Sequence, residues 1–120
     1  MMKYSVYQVR LSNEVYDAVE ICSLAGSHLK AAEMYPEYKI HLDVMLSGSA
    51  AFKQEDFKYY SQVAVIEAKS LDDVFKIGNV GPEDKITRFG RMHSLSVGDI
   101  IGIDGKYVMI DGFGFAEIDV

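Results

Sequence analysis

Ile100-Ile101-Gly102-Ile103-Asp104-Gly105-Lys106-Tyr107-Val108-Met109-Ile110 is the stretch whose reading decides the fold. Asp-Gly between two apolar runs is a strong two-residue hairpin signal, because glycine tolerates the positive φ such a turn requires. Pairing across that turn sets Ile101 opposite Val108 and Ile100 opposite Met109. Neighbours on a strand point to opposite faces, so both faces of this hairpin are apolar. A hairpin of that kind is either sandwiched between other layers or curled into a small barrel. Gly98-Asp99 makes the turn that leads into it, and Gly112 and Gly114 bend the chain into a last short strand, Phe115 to Ile118.

Upstream, helix and strand signals alternate. Tyr4 to Leu11 has strand alternation. Ser12 and Asn13 offer N-caps for a helix from Glu14 to about Leu24, with Val15, Ala18, Val19 and Cys22 at helical spacing and Gly26 as its stop. A second short helix spans about His28 to Met34 and halts before Pro36. Ile40, Leu42, Val44 and Leu46 alternate with Lys39, His41, Asp43 and Met45, which predicts a strand ended by Ser47-Gly48-Ser49. Lys53 to Tyr59 is a short helix or a loop. Tyr60 to Ala68 carries apolar residues on both faces, as a central strand does. Ser70 caps a further helix, with Asp73 reaching back to its start, Leu71, Val74, Phe75 and Ile77 as its stripe, and Gly78 as its left-handed end. Gly81-Pro82 is a turn, and Pro82 opens one helical turn through Asp84 and Lys85.

The predicted fold is therefore α+β. It is a single domain over residues 1–120, with a mixed or antiparallel sheet, two or three helices on one face, and a C-terminal β-hairpin curled toward a small barrel. Val15, Val19, Val63, Val65, Val74, Phe75, Ile101 and Val108 are its expected core. An apolar content of 49% with 25% charged residues fits one folded domain of this length. No apolar run approaches the ~20 residues that cross a bilayer, and no secretory signal is readable at Met1 to Val6. Location in the cytoplasm is the expectation. The lone Cys22 makes no internal disulfide and reads as a small core residue.

Charge narrows the partners. Eighteen acidic side chains against twelve basic ones leave a net −6, which argues against binding along DNA. The distribution is uneven. Lys106 is the only Lys or Arg after Arg91, whereas Lys85, Arg88 and Arg91 form a basic cluster just before that acidic tail. Two opposite potentials side by side orient a partner on approach. Lys85, Arg88 and Arg91, with His93, Ser94 and Ser96 at the approach to the hairpin, are the candidate partner- or ligand-binding residues. A solvated surface of mixed charge is the plainer explanation of the same residues.

Catalytic motifs are lacking: no phosphate loop, dinucleotide fingerprint or nucleophile elbow occurs. His28, His41 and His93 lack zinc-ligand spacing. His93, Ser94 and Asp99 include the residue types of a hydrolytic triad, yet adjacent residues of an extended segment point apart. Turn chemistry around Gly98 accounts for Ser94, Ser96 and Asp99 more simply. No cofactor, metal site or enzymatic activity is expected.

A resemblance adds to this reading. The pattern is Leu71-Asp72-Asp73-Val74-Phe75, Gly78-Asn79, Met92-His93-Ser94-Leu95-Ser96-Val97-Gly98-Asp99-Ile100-Ile101, Asp104-Gly105-Lys106-Tyr107 and Gly114-Phe115. It resembles the YodL-like small domains of bacteria, phages and conjugative elements. The run from Gly78 to Ile86 resembles uncharacterised phage proteins in particular. The resemblance covers about residues 70–118, with only Tyr35-Pro36-Glu37-Tyr38 loosely matched before it. Asn79, Ser94, Ser96, Gly98, Asp99 and Phe115 match the pattern, and the family offers no enzymatic residue to carry over. The resemblance implies a non-enzymatic accessory protein of a phage or mobile element that binds a host or phage protein, to counter a host process or defence. The alternative is a small-molecule or nucleotide-binding protein that sequesters an anionic ligand between the hairpin and Lys85–Arg91. A third option is an RNA-binding β-barrel. Whether Lys85, Arg88, Arg91 and His93 converge on a cleft or spread over a flat surface discriminates among these. Partner identity and oligomeric state are not encoded in any motif.

Overall fold

The computed structural model describes residues 1–24 and 28–120. Its six strands are β1 (Met2–Val9), β2 (Tyr60–Ala68), β3 (Ile86–Arg88), β4 (Ile100–Ile103), β5 (Lys106–Ile110) and β6 (Phe115–Ile118). They form one sheet in the order β3-β2-β1-β4-β5-β6, every neighbouring pair antiparallel. The sheet is open, with β3 and β6 at its edges, so the hairpin does not curl into a barrel. Its register is the predicted one: Ile101 faces Val108 and Ile100 faces Met109. Asp104 and Gly105 turn it, at φ +51° and +77°.

The hairpin is sandwiched instead. On one face Val6, Ile66 and Ile101 meet Val74 and Ile77 in one buried cluster. The alternate residues Val9, Ile100 and Met109 form a second cluster with Tyr60 and Val44, onto which Phe57 packs. Helical segments thus meet both faces of the sheet rather than one. The helices are α1 (Asn13–Leu24), α2 (His28–Met34), α3 (Pro36–Ser47) and α4 (Leu71–Val80), with 3₁₀ turns at Gly48–Ala51, Gln54–Tyr59 and Glu83–Lys85. Ser12 caps α1 by accepting from the Val15 N–H at 3.3 Å. The expected stop at Gly26 lies outside the described residues. Val15, Cys22, Ala31 and Tyr38 build a third cluster among the first three helices.

Three further expectations are corrected. Ile40 to Leu46 is helix, not strand. Its alternation is two helical stripes superposed: Ile40 and Val44 pack toward the sheet, and Tyr38 and Leu42 toward α1 and α2. Leu46, 80% exposed, belongs to neither. Pro36 in the first turn and the Lys39–Asp43 pair at 2.7 Å, four residues apart, support the helix.

Gly78 does not end α4. The helix continues to Val80, and Gly81, at φ +98°, is its cap, donating to the Ile77 carbonyl at 2.9 Å. Glycine at 78 serves close packing, because a Cβ there would fall 2.5 Å from a methyl of the buried Leu95. Phe75 is 40% exposed and drops out of the core, since Leu71, Val74 and Ile77 already fill the inward stripe. Of the other expected core residues, Val15, Val63, Val74 and Ile101 are buried, and Val19, Val65 and Val108 are half-buried.

Candidate binding groove

Between β3 and β4 the chain must pass β2 and β1, and residues 89–99 make that crossing. One side chain fixes it. Gln8, 2% exposed at the end of β1, accepts from the His93 N–H at 3.2 Å and donates to the His93 carbonyl at 3.0 Å, as a strand neighbour would. Its amide also lies 3.1 Å from the Asp99 carboxylate, to which it donates. Asp99 accepts a further bond from the Ser96 N–H at 3.0 Å. The Tyr60 hydroxyl donates to the Gly98 carbonyl at 2.6 Å, closing the turn.

This knot is electrostatically poised. Asp99 is 5% exposed, and burial pushes its carboxyl up to about 6; the charge of His93 and the bonds from Ser96 and Gln8 offset only part of that desolvation. Burial also raises the Tyr60 hydroxyl, with the Asp99 charge adding to it. His41, on α3, stands 6.4 Å from His93 between ring centres, and burial, then the neighbouring imidazole, holds its pKa below the usual range.

The crossing segment walls a groove of about 590 Å³. Phe89 to His93 forms one wall, the end of β1 and the start of α1 from Gln8 to Asn13 with Tyr16 another, and Ser61 to Val63 of β2 contributes a third side. Arg91 lies over the Tyr16 ring, its guanidinium carbon 4.7 Å from the centroid. Arg10, exposed, is anchored by its own N–H to the Tyr59 carbonyl at 2.9 Å. Among the described residues neither arginine has a carboxylate partner. Phe89 is 59% exposed at the mouth.

The six residues expected to form a site do not all meet there. Arg91 and His93 line the groove. Arg88 turns away, donating to both oxygens of Glu83 at 2.7 and 2.9 Å. Arg88, His93 and Ser94 border a smaller recess of about 170 Å³ beside the end of α4. Lys85 sits half-buried in the 3₁₀ turn, and Ser96 is taken up by the turn to Asp99; neither lines the groove. The basic cluster is thus divided, with one member on the groove and one neutralised locally. Arg10, Tyr16 and Phe89 were missed by the sequence reading. Arg10 lies about 80 positions from Arg91, and only the β1–β2–β3 order brings them to one groove.

The triad residue types are not arranged as a relay. The His93 ring Nδ1 lies 2.8 Å from the Ser94 carbonyl oxygen and 3.3 Å from the Gln8 side-chain amide nitrogen, not against a serine hydroxyl. Asp99 is engaged by Gln8 and Ser96. Among the described residues no group of three or more His, Cys, Asp or Glu gathers as a metal would need. No described helix is long and apolar enough to cross a membrane. No family model, curated protein or solved structure matches the chain.

Proposed function

We propose that this protein is a non-enzymatic binding protein, an accessory factor of a phage or mobile element acting in the host cytoplasm, and that the groove beside Phe89–His93 is where it grips a host or phage protein. The observation that supports this reading most is the juxtaposition of two arginines without carboxylate partners and two exposed aromatics, Tyr16 and Phe89, in one groove. Arginine and aromatic side chains carry a disproportionate share of binding energy at protein interfaces. The resemblance of residues 70–118 to YodL-like domains supports the accessory role.

The test is affinity capture from host and infected lysate with the intact protein, the Phe89→Ala variant and the Arg91→Ala variant, with small molecules released and analysed beside bound proteins. Both side chains are exposed, so the variants keep the fold. A protein retained by the parent and lost by both variants supports the proposal. Retention that is indifferent to both variants refutes the groove, and release of a stoichiometric small anion favours sequestration instead.

A further inference from the structure

We infer that the groove's occupant is an acidic peptide segment, with carboxylates flanking an aromatic or large aliphatic residue; this rests on the groove being the contact surface proposed above. The chain has 18 acidic and 12 basic residues, yet among the described residues no Asp or Glu lines the groove, which holds Arg10 and Arg91. On α1, Glu14 and Asp17 follow the lining residues Asn13 and Tyr16 without lining the groove themselves, and Glu14 accepts from the Tyr35 hydroxyl at 3.2 Å. A protein acidic overall has therefore left one groove with a cationic lining, and a complementary occupant is anionic.

The form of the two cations selects carboxylates carried on a chain. Arg91 has its guanidinium carbon 4.7 Å from the Tyr16 ring centroid, and a guanidinium held beside a ring can still grip a carboxylate through two parallel bonds. Arg10 arrives from a different wall, at the end of β1. Charges supplied from two walls suit carboxylates spaced along a peptide, whereas a polyphosphate is gathered by donors that converge on one point. The exposed Phe89 and Tyr16 rings offer apolar surface between them, which inorganic phosphate would leave unused and a peptide side chain would cover.

The probe is a short fluorescein-labelled peptide in which Asp and Glu flank a central Phe, set against the same peptide with Asn and Gln in their places, and against ATP and inorganic phosphate. Anisotropy gives the affinities, and amide shifts of the isotope-labelled protein give the location. The acidic peptide is expected to bind about tenfold or more tightly than the neutral one, more weakly as salt rises, with shifts confined to residues 8–13, 61–63 and 89–93. Arg10→Ala and Arg91→Ala should each weaken it by about tenfold. Equal binding of both peptides in the groove overturns the inference and leaves the contact surface standing. ATP or phosphate occupying the groove in preference to the peptide also overturns it. Absence of acidic-peptide binding, or shifts elsewhere, overturns it as well, whereas lysate capture indifferent to Phe89 and Arg91 removes the contact surface itself.

Discussion

Replacing Asp99 by Asn should change how stability depends on pH, in a direction the buried turn dictates. In the folded protein the carboxyl titrates near 6 rather than 3.8, chiefly because burial penalises its charge. The folded state thus holds this proton more tightly than the unfolded chain does. The associated stabilisation is full below 3.8 and is lost as pH rises through about 6. A shift of this size corresponds to about 3 kcal/mol between those limits. Asn at this position keeps an oxygen that accepts from the Ser96 N–H and the Gln8 amide, and it cannot ionise. Urea unfolding followed by circular dichroism, at steps from pH 4 to pH 8 and constant ionic strength, measures the difference. The Asn variant should gain on the parent by about 3 kcal/mol across this window, less whatever its hydrogen bonds lose in geometry. His41 works in the opposite sense: its lowered pKa gives stability that is lost as pH falls below its ordinary range. Both proteins share that slope, so their difference reports the Asp99 carboxyl together with its charge interaction with His93. A difference that does not vary with pH would refute the burial argument.

Gly105→Val should cost about 1 kcal/mol or more, because a β-branched residue resists φ +77°, and Gly105→Asn distinctly less; urea midpoints decide, since no neighbour lies within 4 Å of a Cβ there to confuse the comparison. Ile77→Ala should destabilise by about 2–5 kcal/mol, while Phe75→Ala, on the outer side of the same helix, should cost well under that range, a ranking that thermal unfolding checks. Gln8→Leu removes its contacts to the His93 backbone and ring and its bond to Asp99, so amides of residues 89–93 should exchange with solvent faster than those of β2, measured by hydrogen exchange; uniform protection across both segments would show that something other than Gln8 holds the groove wall.

The parts of the fold legible in the sequence are those whose signal is local. Asp104-Gly105 constrains the backbone by itself, and two apolar runs of matching length leave one register that buries both. The Ser70 cap is equally local, its hydroxyl accepting from the Asp73 N–H at 3.2 Å. Ile40 to Leu46 misled because a helix that serves two clusters spreads its apolar residues around the cylinder, and alternate positions then imitate a strand. Pro36 and the Lys39–Asp43 spacing carried the opposing signal. Phe75 misled for a related reason: its size suggested burial, but a ten-residue helix packed on a flat sheet has room for one stripe, and Val74 and Ile77 already hold it.

The groove was beyond local signals because its walls are brought together by the strand order. The basic cluster reads as one feature in sequence, yet β3 is an edge strand, so Arg88 stays beside Glu83 while the chain turns inward and carries Arg91 over α1. Gln8 shows why the division is stable. A polar residue at an inward position of β1 would be costly alone. The crossing segment satisfies it with the backbone of His93 and the carboxylate of Asp99, and in return the segment gains a fixed place on the sheet. The same contact sets where Phe89 and Arg91 stand, because both lie within four residues of His93 on the chain that Gln8 pins. Loosening this contact with Gln8→Leu should therefore weaken binding of the proposed acidic peptide, read by the same anisotropy titration, although Arg10 and Arg91 keep their charges.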